Sequence, residues 1–128
     1  TNIEDAVTFA NKSNIDAMAI SVGNTHLQTS KKASIDFNKI NLIEAKTKIP
    51  LVLHGSSGIP VEQRKKLARK TKVAKLNIGT EIRMTFGQAL RKNLKNNPKT
   101  YDRLQLLKPT IKDLTKVTKK IIKQIGPH

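Results

Sequence analysis

Three short apolar runs, each breaking off into a polar, glycine-bearing loop, constrain this chain more than any other feature. Ala17-Met18-Ala19-Ile20-Ser21-Val22 leads into Gly23-Asn24-Thr25-His26. Pro50-Leu51-Val52-Leu53 leads into His54-Gly55-Ser56-Ser57-Gly58, and Val73-Ala74-Lys75-Leu76 into Asn77-Ile78-Gly79-Thr80. Helix-length segments separate the runs, so they read as strands of parallel βα units. In such sheets the C-terminal strand ends share one face, and sites are built there. His26, His54 and the Asn77–Thr80 loop are therefore expected to converge, although they are far apart in sequence.

The intervening segments carry helical periodicity. Ile3, Ala6, Val7 and Ala10 predict a helix over Asn2–Lys12, with Asn2 as its cap. The first strand spans Ile15–Val22. Its consecutive apolar residues fit a sheet covered on both faces. Gly23–Ala33 reads as an irregular loop. Ser34-Ile35-Asp36 opens a helix with an apolar face of Phe37, Ile40 and Leu42/Ile43. Pro50 enters the second strand, where a missing N–H is tolerated. Pro60 suits the first turn of a helix over Val61–Thr71. The third strand is Val73–Ile78. Thr80 or Asn77 is expected to cap the long helix Glu81–Leu94, whose stripe is Ile82, Phe86, Leu90 and Leu94. Asn96-Asn97-Pro98 ends it. A last helix over Pro109–Ile125 stops at Gly126-Pro127. Three strands alone leave both sheet edges open. The pattern reads as the last part of an α/β barrel or doubly wound sheet.

At 128 residues the chain forms one domain by default. It has no cysteine, which excludes disulfides and thiolate metal sites and suits a reducing compartment. Its N-terminus is polar and acidic, unlike a signal peptide. No apolar run approaches the roughly 20 residues needed to span a bilayer. The net charge of +16 raises the possibility of a nucleic-acid partner. Against it, aromatics are 3%, too few for base stacking. The lysines of Lys112–Lys123 alternate with an apolar stripe, as on a solvated helix face.

His54-Gly55-Ser56-Ser57-Gly58 has the makings of an anion loop. Backbone N–H groups in such a loop close around an anion, and the following helix adds its N-terminal dipole. Ser57 adds a hydroxyl. Asn77-Ile78-Gly79-Thr80 repeats this design in the next unit. Adjacent loops of this kind resemble the phosphate site of parallel barrels. Each histidine alone reads as a hydrogen-bonded strand-end residue. Together they have the chemistry to share a Zn²⁺, which needs three or four ligands. His128, on the tail, reads as a bystander.

Ile15–Arg83 resembles the C-terminal part of the class II, zinc-dependent ketose-bisphosphate aldolases, the fructose-bisphosphate and tagatose-bisphosphate enzymes. The matching segments are Gly23-Asn24-Thr25-His26, Ile35-Asp36-Phe37, Ile49 through Pro60, and Lys75 through Arg83. Asn97-Pro98 and Tyr101-Asp102 extend the likeness over nearly the whole chain. The resemblance implies a (β/α)8 TIM barrel, of which residues 1–128 are a C-terminal portion of about three βα units plus a terminal helix. It implies that His26 and His54 are zinc ligands. It assigns Leu27, Gly55, Ser56, Ser57, Asn77, Ile78, Gly79 and Thr80 to the phosphate and hydroxyls of a dihydroxyacetone phosphate half. A monovalent cation, Na⁺ or K⁺, is implied beside the phosphate, near Gly55 and Ser57. The implied activity is reversible cleavage of fructose or tagatose 1,6-bisphosphate to dihydroxyacetone phosphate and glyceraldehyde 3-phosphate. The implied setting is cytoplasmic carbohydrate metabolism, glycolysis included, by a homo-oligomer with no membrane or nucleic-acid partner.

Three departures qualify the resemblance. A full barrel needs about 250 residues, so the family's general acid/base and a further zinc ligand are expected upstream, and this chain alone is expected to be inactive. An alternative is a non-catalytic remnant that retains phosphate or metal binding. The family has glycine after the first histidine, where Leu27 resists the backbone turn that brings its N–H to the phosphate. Gly79 replaces the aspartate of many fructose enzymes and matches the small residue of the tagatose type.

Overall fold

A computed structural model describes residues 1–126. The elements run in the order α1 (Ile3–Lys12), β1 (Met18–Ile20), α2 (Phe37–Lys46), β2 (Leu51–Leu53), α3 (Val61–Lys70), β3 (Val73–Leu76), α4 (Thr80–Asn96), α5 (Arg103–Leu107) and α6 (Thr110–Ile125). A single 3-10 turn, Ser56–Gly58, lies between β2 and α3. The strands are parallel and ordered β1-β2-β3, with Met18 opposite Leu51 and Ile20 opposite Leu53. This is the α/β arrangement expected, three βα units of a barrel followed by terminal helices.

Local chemistry sets most of the boundaries. Asn2 caps α1 by accepting from the Glu4 and Asp5 N–H groups. Asp36 caps α2 through Lys39 N–H, and Asp102 caps α5 through Leu104 N–H. The core is the strand faces Met18, Ile20, Leu51, Leu53 and Val73 packed on Ile40 and Ile43 of α2 and Leu67 of α3. Ala6 and Ala10 of α1 close one end of it.

Several expectations change. β1 is three residues, shorter than Ile15–Val22, because it pairs only along the three residues of β2. Burial alternates along β1: Met18 and Ile20 are covered and Ala19 is exposed. The sheet is therefore covered on one face in this chain. Across the register the other face presents Ala19, Val52 and Lys75. The consecutive apolar letters do not reveal this parity. α4 begins at Thr80, with Gly79 at the cap position and no side-chain cap, so neither Thr80 nor Asn77 caps it. Pro60 and Pro109 occupy cap positions rather than first turns. α5 is a helix the periodicity misses, since five residues are too few to show a stripe. α6 packs on α3 and α4 rather than over the open sheet face. Pro127 and His128 lie outside the described residues.

Candidate active site

Loops after all three strands meet at one end of the sheet. His26 follows β1 and His54 follows β2. Their imidazole centroids are 5.7 Å apart, with the rings tilted by 49°. Two glycines bring the loops together. Gly55 is left-handed at φ 63°, and a Cβ there would collide with the Thr25 carbonyl oxygen. At Gly23, φ 98°, an added Cβ would run still more closely into the Ser34 carbonyl oxygen. Either side chain would collide with backbone, which cannot yield as a flexible side chain can. Asn24 then ties the loops. Its Oδ1 accepts from Val22 N–H at 2.7 Å, and its Nδ2 donates to the His54 carbonyl at 2.9 Å. The sequence motif contains Asn24, but nothing in its spacing announces this bridging role.

The loops enclose an open cleft of about 670 Å³, lined by His26, Leu27, His54, Gly55, Ser57, Leu76, Asn77, Ile78, Gly79, Thr80 and Arg83. Every candidate site residue lines it except Ser56. Ser56 is fully buried. Its N–H donates to the Asn77 carbonyl and its hydroxyl to the Leu53 carbonyl, so its polar groups are spent inside the fold. Ser57 Oγ accepts from Glu81 N–H at 3.1 Å, which joins the first loop to the start of α4. Arg83 ends the last motif of the sequence, where its spacing signals no role, yet one turn into α4 it contributes a cation to the cleft wall. Its guanidinium lies over Gly79, where a Cβ would meet Nη1 at 3.1 Å.

Leu27 settles the question raised by its position. Among the described residues it is the one non-glycine residue with positive φ, 58°. The left-handed turn that glycine would make without strain is made here by a leucine, at a cost of about 1–2 kcal/mol. Its side chain is 76% exposed, so no packing offsets that strain.

The histidine pair fits a shared metal ion in part. Imidazoles on one tetrahedral Zn²⁺ hold their centroids about 5 Å apart, given Zn–N bonds of about 2.0–2.1 Å, close to the spacing found. Asn77 Nδ2 lies beside the His54 ring, 3.1 Å from Nδ1 and 3.5 Å from Nε2. Among the described residues, however, no group of three His, Cys, Asp or Glu is placed to hold an ion. His26 and His54 are two ligands of an incomplete set.

Behind the cleft, Glu81 meets Arg64 Nη2 at 2.9 Å and Lys31 Nζ at 3.0 Å. Burial works to raise the Glu81 carboxyl. Hydrogen bonds from Arg64 and Lys31, and their charges, outweigh it and hold the group below its ordinary value.

Comparison with known proteins accords with this geometry. The sequence model of the family described as fructose-bisphosphate aldolase class-II matches residues 1–128. A 6-phospho-5-dehydro-2-deoxy-D-gluconate aldolase of Shouchella clausii is 34% identical over 125 residues, covering 98% of this chain and 42% of that protein. The crystal structure of the YdjI aldolase from Escherichia coli K12 superposes with a TM-score of 0.76 at 27% identity, over 98% of this chain and 44% of that one. A putative fructose-1,6-bisphosphate aldolase from Coccidioides immitis shares the fold, with a TM-score of 0.76 at 20% identity, over 98% of this chain and 42% of its own. The chain belongs to the class II fructose-bisphosphate aldolase family. It spans less than half the length of these relatives.

Proposed function

We propose that this chain supplies the phosphate-binding wall and two of the zinc ligands of a class II aldolase active site, a carbon–carbon lyase acting on a phosphorylated ketose. One observation carries the proposal. Residues from three separate strand-end loops line a single cleft that combines an imidazole pair with two small-residue loops of the anion-binding type. Family membership supports it independently.

In this reading Ser57 and Thr80 offer hydroxyls and loop N–H groups to the phosphate, and Gly55 and Gly79 let backbone approach it closely. Asn77 lies beside His54 and faces the substrate hydroxyls. A Na⁺ or K⁺ beside the phosphate, held by Gly55 and Ser57 backbone, completes that wall. His26 and His54 would hold Zn²⁺, with a further ligand from outside the described residues. When bound there, zinc supplies a Lewis acid for the developing negative charge on the substrate oxygen. No lysine is needed for a Schiff base, which leaves the lysine-rich helices free of catalytic duty. Dihydroxyacetone phosphate is the proposed product half. Fructose and tagatose 1,6-bisphosphate are the proposed substrates, although the Shouchella relative is named for a different phosphorylated acid.

We further propose a cytoplasmic setting and self-association that covers the open sheet face at Ala19, Val52 and Lys75. No helix of the described residues is long and apolar enough to cross a membrane.

The test is binding rather than turnover, since the general acid/base is expected from outside the described residues. Zinc should shift the His26 and His54 ring resonances. Dihydroxyacetone phosphate added afterwards should shift Ser57, Gly79 and Thr80, and a chelator should reverse the first effect. Zinc that leaves both rings unmoved contradicts the metal assignment. Chelator-sensitive cleavage by the chain alone contradicts its incompleteness.

A further inference from the structure

A fully buried arginine lies directly behind the proposed anion loop. Arg64, on α3, is 0% exposed. Its Nη2 donates to the Ser56 carbonyl at 3.0 Å, the Ser57 carbonyl at 3.4 Å and Glu81 Oε2 at 2.9 Å. Its Nη1 donates to Gln124 Oε1 of α6 at 3.1 Å. One guanidinium thus joins the loop, the start of α4 and the terminal helix. Burying an arginine is costly unless its donors are matched; here both Nη atoms are matched while the buried Nε has no partner among the described residues, and nothing in the amphipathic pattern of α3 calls for an arginine at this position.

The peptide geometry gives this placement a consequence. The Ser56–Ser57 peptide, like every other among the described residues, is trans. In a trans peptide the C=O and the following N–H point in opposite directions. Arg64 Nη2, together with the Ile59 N–H at 3.3 Å, holds the Ser56 carbonyl toward the interior. The Ser57 N–H is therefore turned the other way, to the side on which Ser57 lines the cleft. Glu81 adds a second requirement. Its carboxylate stands at the start of α4, beside the place where an anion would bind, and it would repel that anion if left uncompensated. Arg64 and Lys31 both neutralise it.

We propose that Arg64 is a positioning residue for the anion site. It aims the Ser57 N–H into the cleft by fixing the Ser56–Ser57 peptide, and it screens the site from Glu81. This inference rests on the anion-site reading above and adds to it a residue that touches no substrate.

The experiment compares the 128-residue chain with Arg64→Lys and with Arg64→Met/Glu81→Gln, using backbone amide NMR and inorganic phosphate as the probe. Lysine keeps the charge and loses the fork that reaches several acceptors. The double variant removes both charges, so no buried ion is left unpaired. Both variants should displace the Ser57 amide resonance before any phosphate is added. Both should bind phosphate about tenfold more weakly at Ser57, the loss of one charge-assisted alignment. A merely structural role would lower the melting temperature and leave phosphate affinity of the folded protein unchanged, and that result overturns the proposal. Should phosphate leave Ser57 and Thr80 of the wild-type chain unmoved while Arg64→Lys still displaces the Ser57 amide, the anion-site reading fails and the positioning of the peptide by Arg64 stands. If neither effect is seen, both fall.

Discussion

Leu53 on β2 and Leu104 on α5 are the same side chain in two differently built halves. Leu53 is fully buried, and Leu104 is 69% exposed. Around Leu53, strand residues interlock with α1, α2 and α3 in a continuous apolar core. Around Leu104, the terminal helices lean on that core with few buried residues of their own: Ala89 from α4, and Thr110, Ile121 and Gln124 from α6. Lys112, Lys116, Lys119, Lys120 and Lys123 of α6 are all exposed. The strand half therefore has the rigidity to hold a site, and the helical half carries much of the charge. The join between them runs partly through polar contacts, Arg64 to Gln124 and Arg64 to Glu81.

Truncation should separate the halves most sharply. Leu53→Ala opens a cavity under the site and should cost about 2–5 kcal/mol. Leu104→Ala should stay within about 0.5 kcal/mol. Urea unfolding of the two variants checks this, and similar losses would mean that α5 is as tightly packed as the sheet.

Acid should loosen the join before it loosens the core. The Glu81 carboxyl is held below its ordinary value of 4.5. A depressed carboxylate stabilises the fold above its unfolded value, and that stability is lost as the pH falls through the native one. Unfolding midpoints should therefore drop as the pH goes below about 4.5, and Glu81→Gln should show a smaller acid-induced drop. An equal drop in both proteins would mean that other carboxylates govern acid unfolding.

The smallest effect concerns Leu27. Left-handed backbone costs a leucine about 1–2 kcal/mol, while glycine gives back about 0.4–1 kcal/mol through a freer unfolded chain. Leu27→Gly should thus gain roughly 0.5 kcal/mol net, measurable as a raised urea midpoint. A loss would mean that the leucine side chain makes a contact that offsets its strain.

How much of this was legible depends on the range of the signal. Strand–loop–helix succession is local, so the three strands, their common direction and the meeting of His26 with His54 follow from the sequence. The Asn2 cap was likewise readable, since a cap bonds only two or three residues ahead, whereas Ser34-Ile35-Asp36 marked the start of α2 without singling out Asp36 as its cap. The parity of β1 was not, because Met18-Ala19-Ile20 is apolar throughout and only packing decides which face is covered. The Arg64–Glu81 pair joins residues 17 apart through the interior. In sequence, Arg64 looks like one more cation in a lysine-rich helix. Ser56 and Ser57 are identical letters in one loop, and the fold alone turns one inward and the other toward the cleft.

The central claim is that the strand ends, not the lysine-rich helix, form the anion site. Titrating inorganic phosphate into the wild-type chain at near-physiological salt tests it most directly, because salt screens exposed charge more than a loop of aligned N–H groups. The account predicts saturable shifts first at Ser57, Gly79 and Thr80. Shifts confined to Lys112–Lys123 that fade with added salt would contradict it.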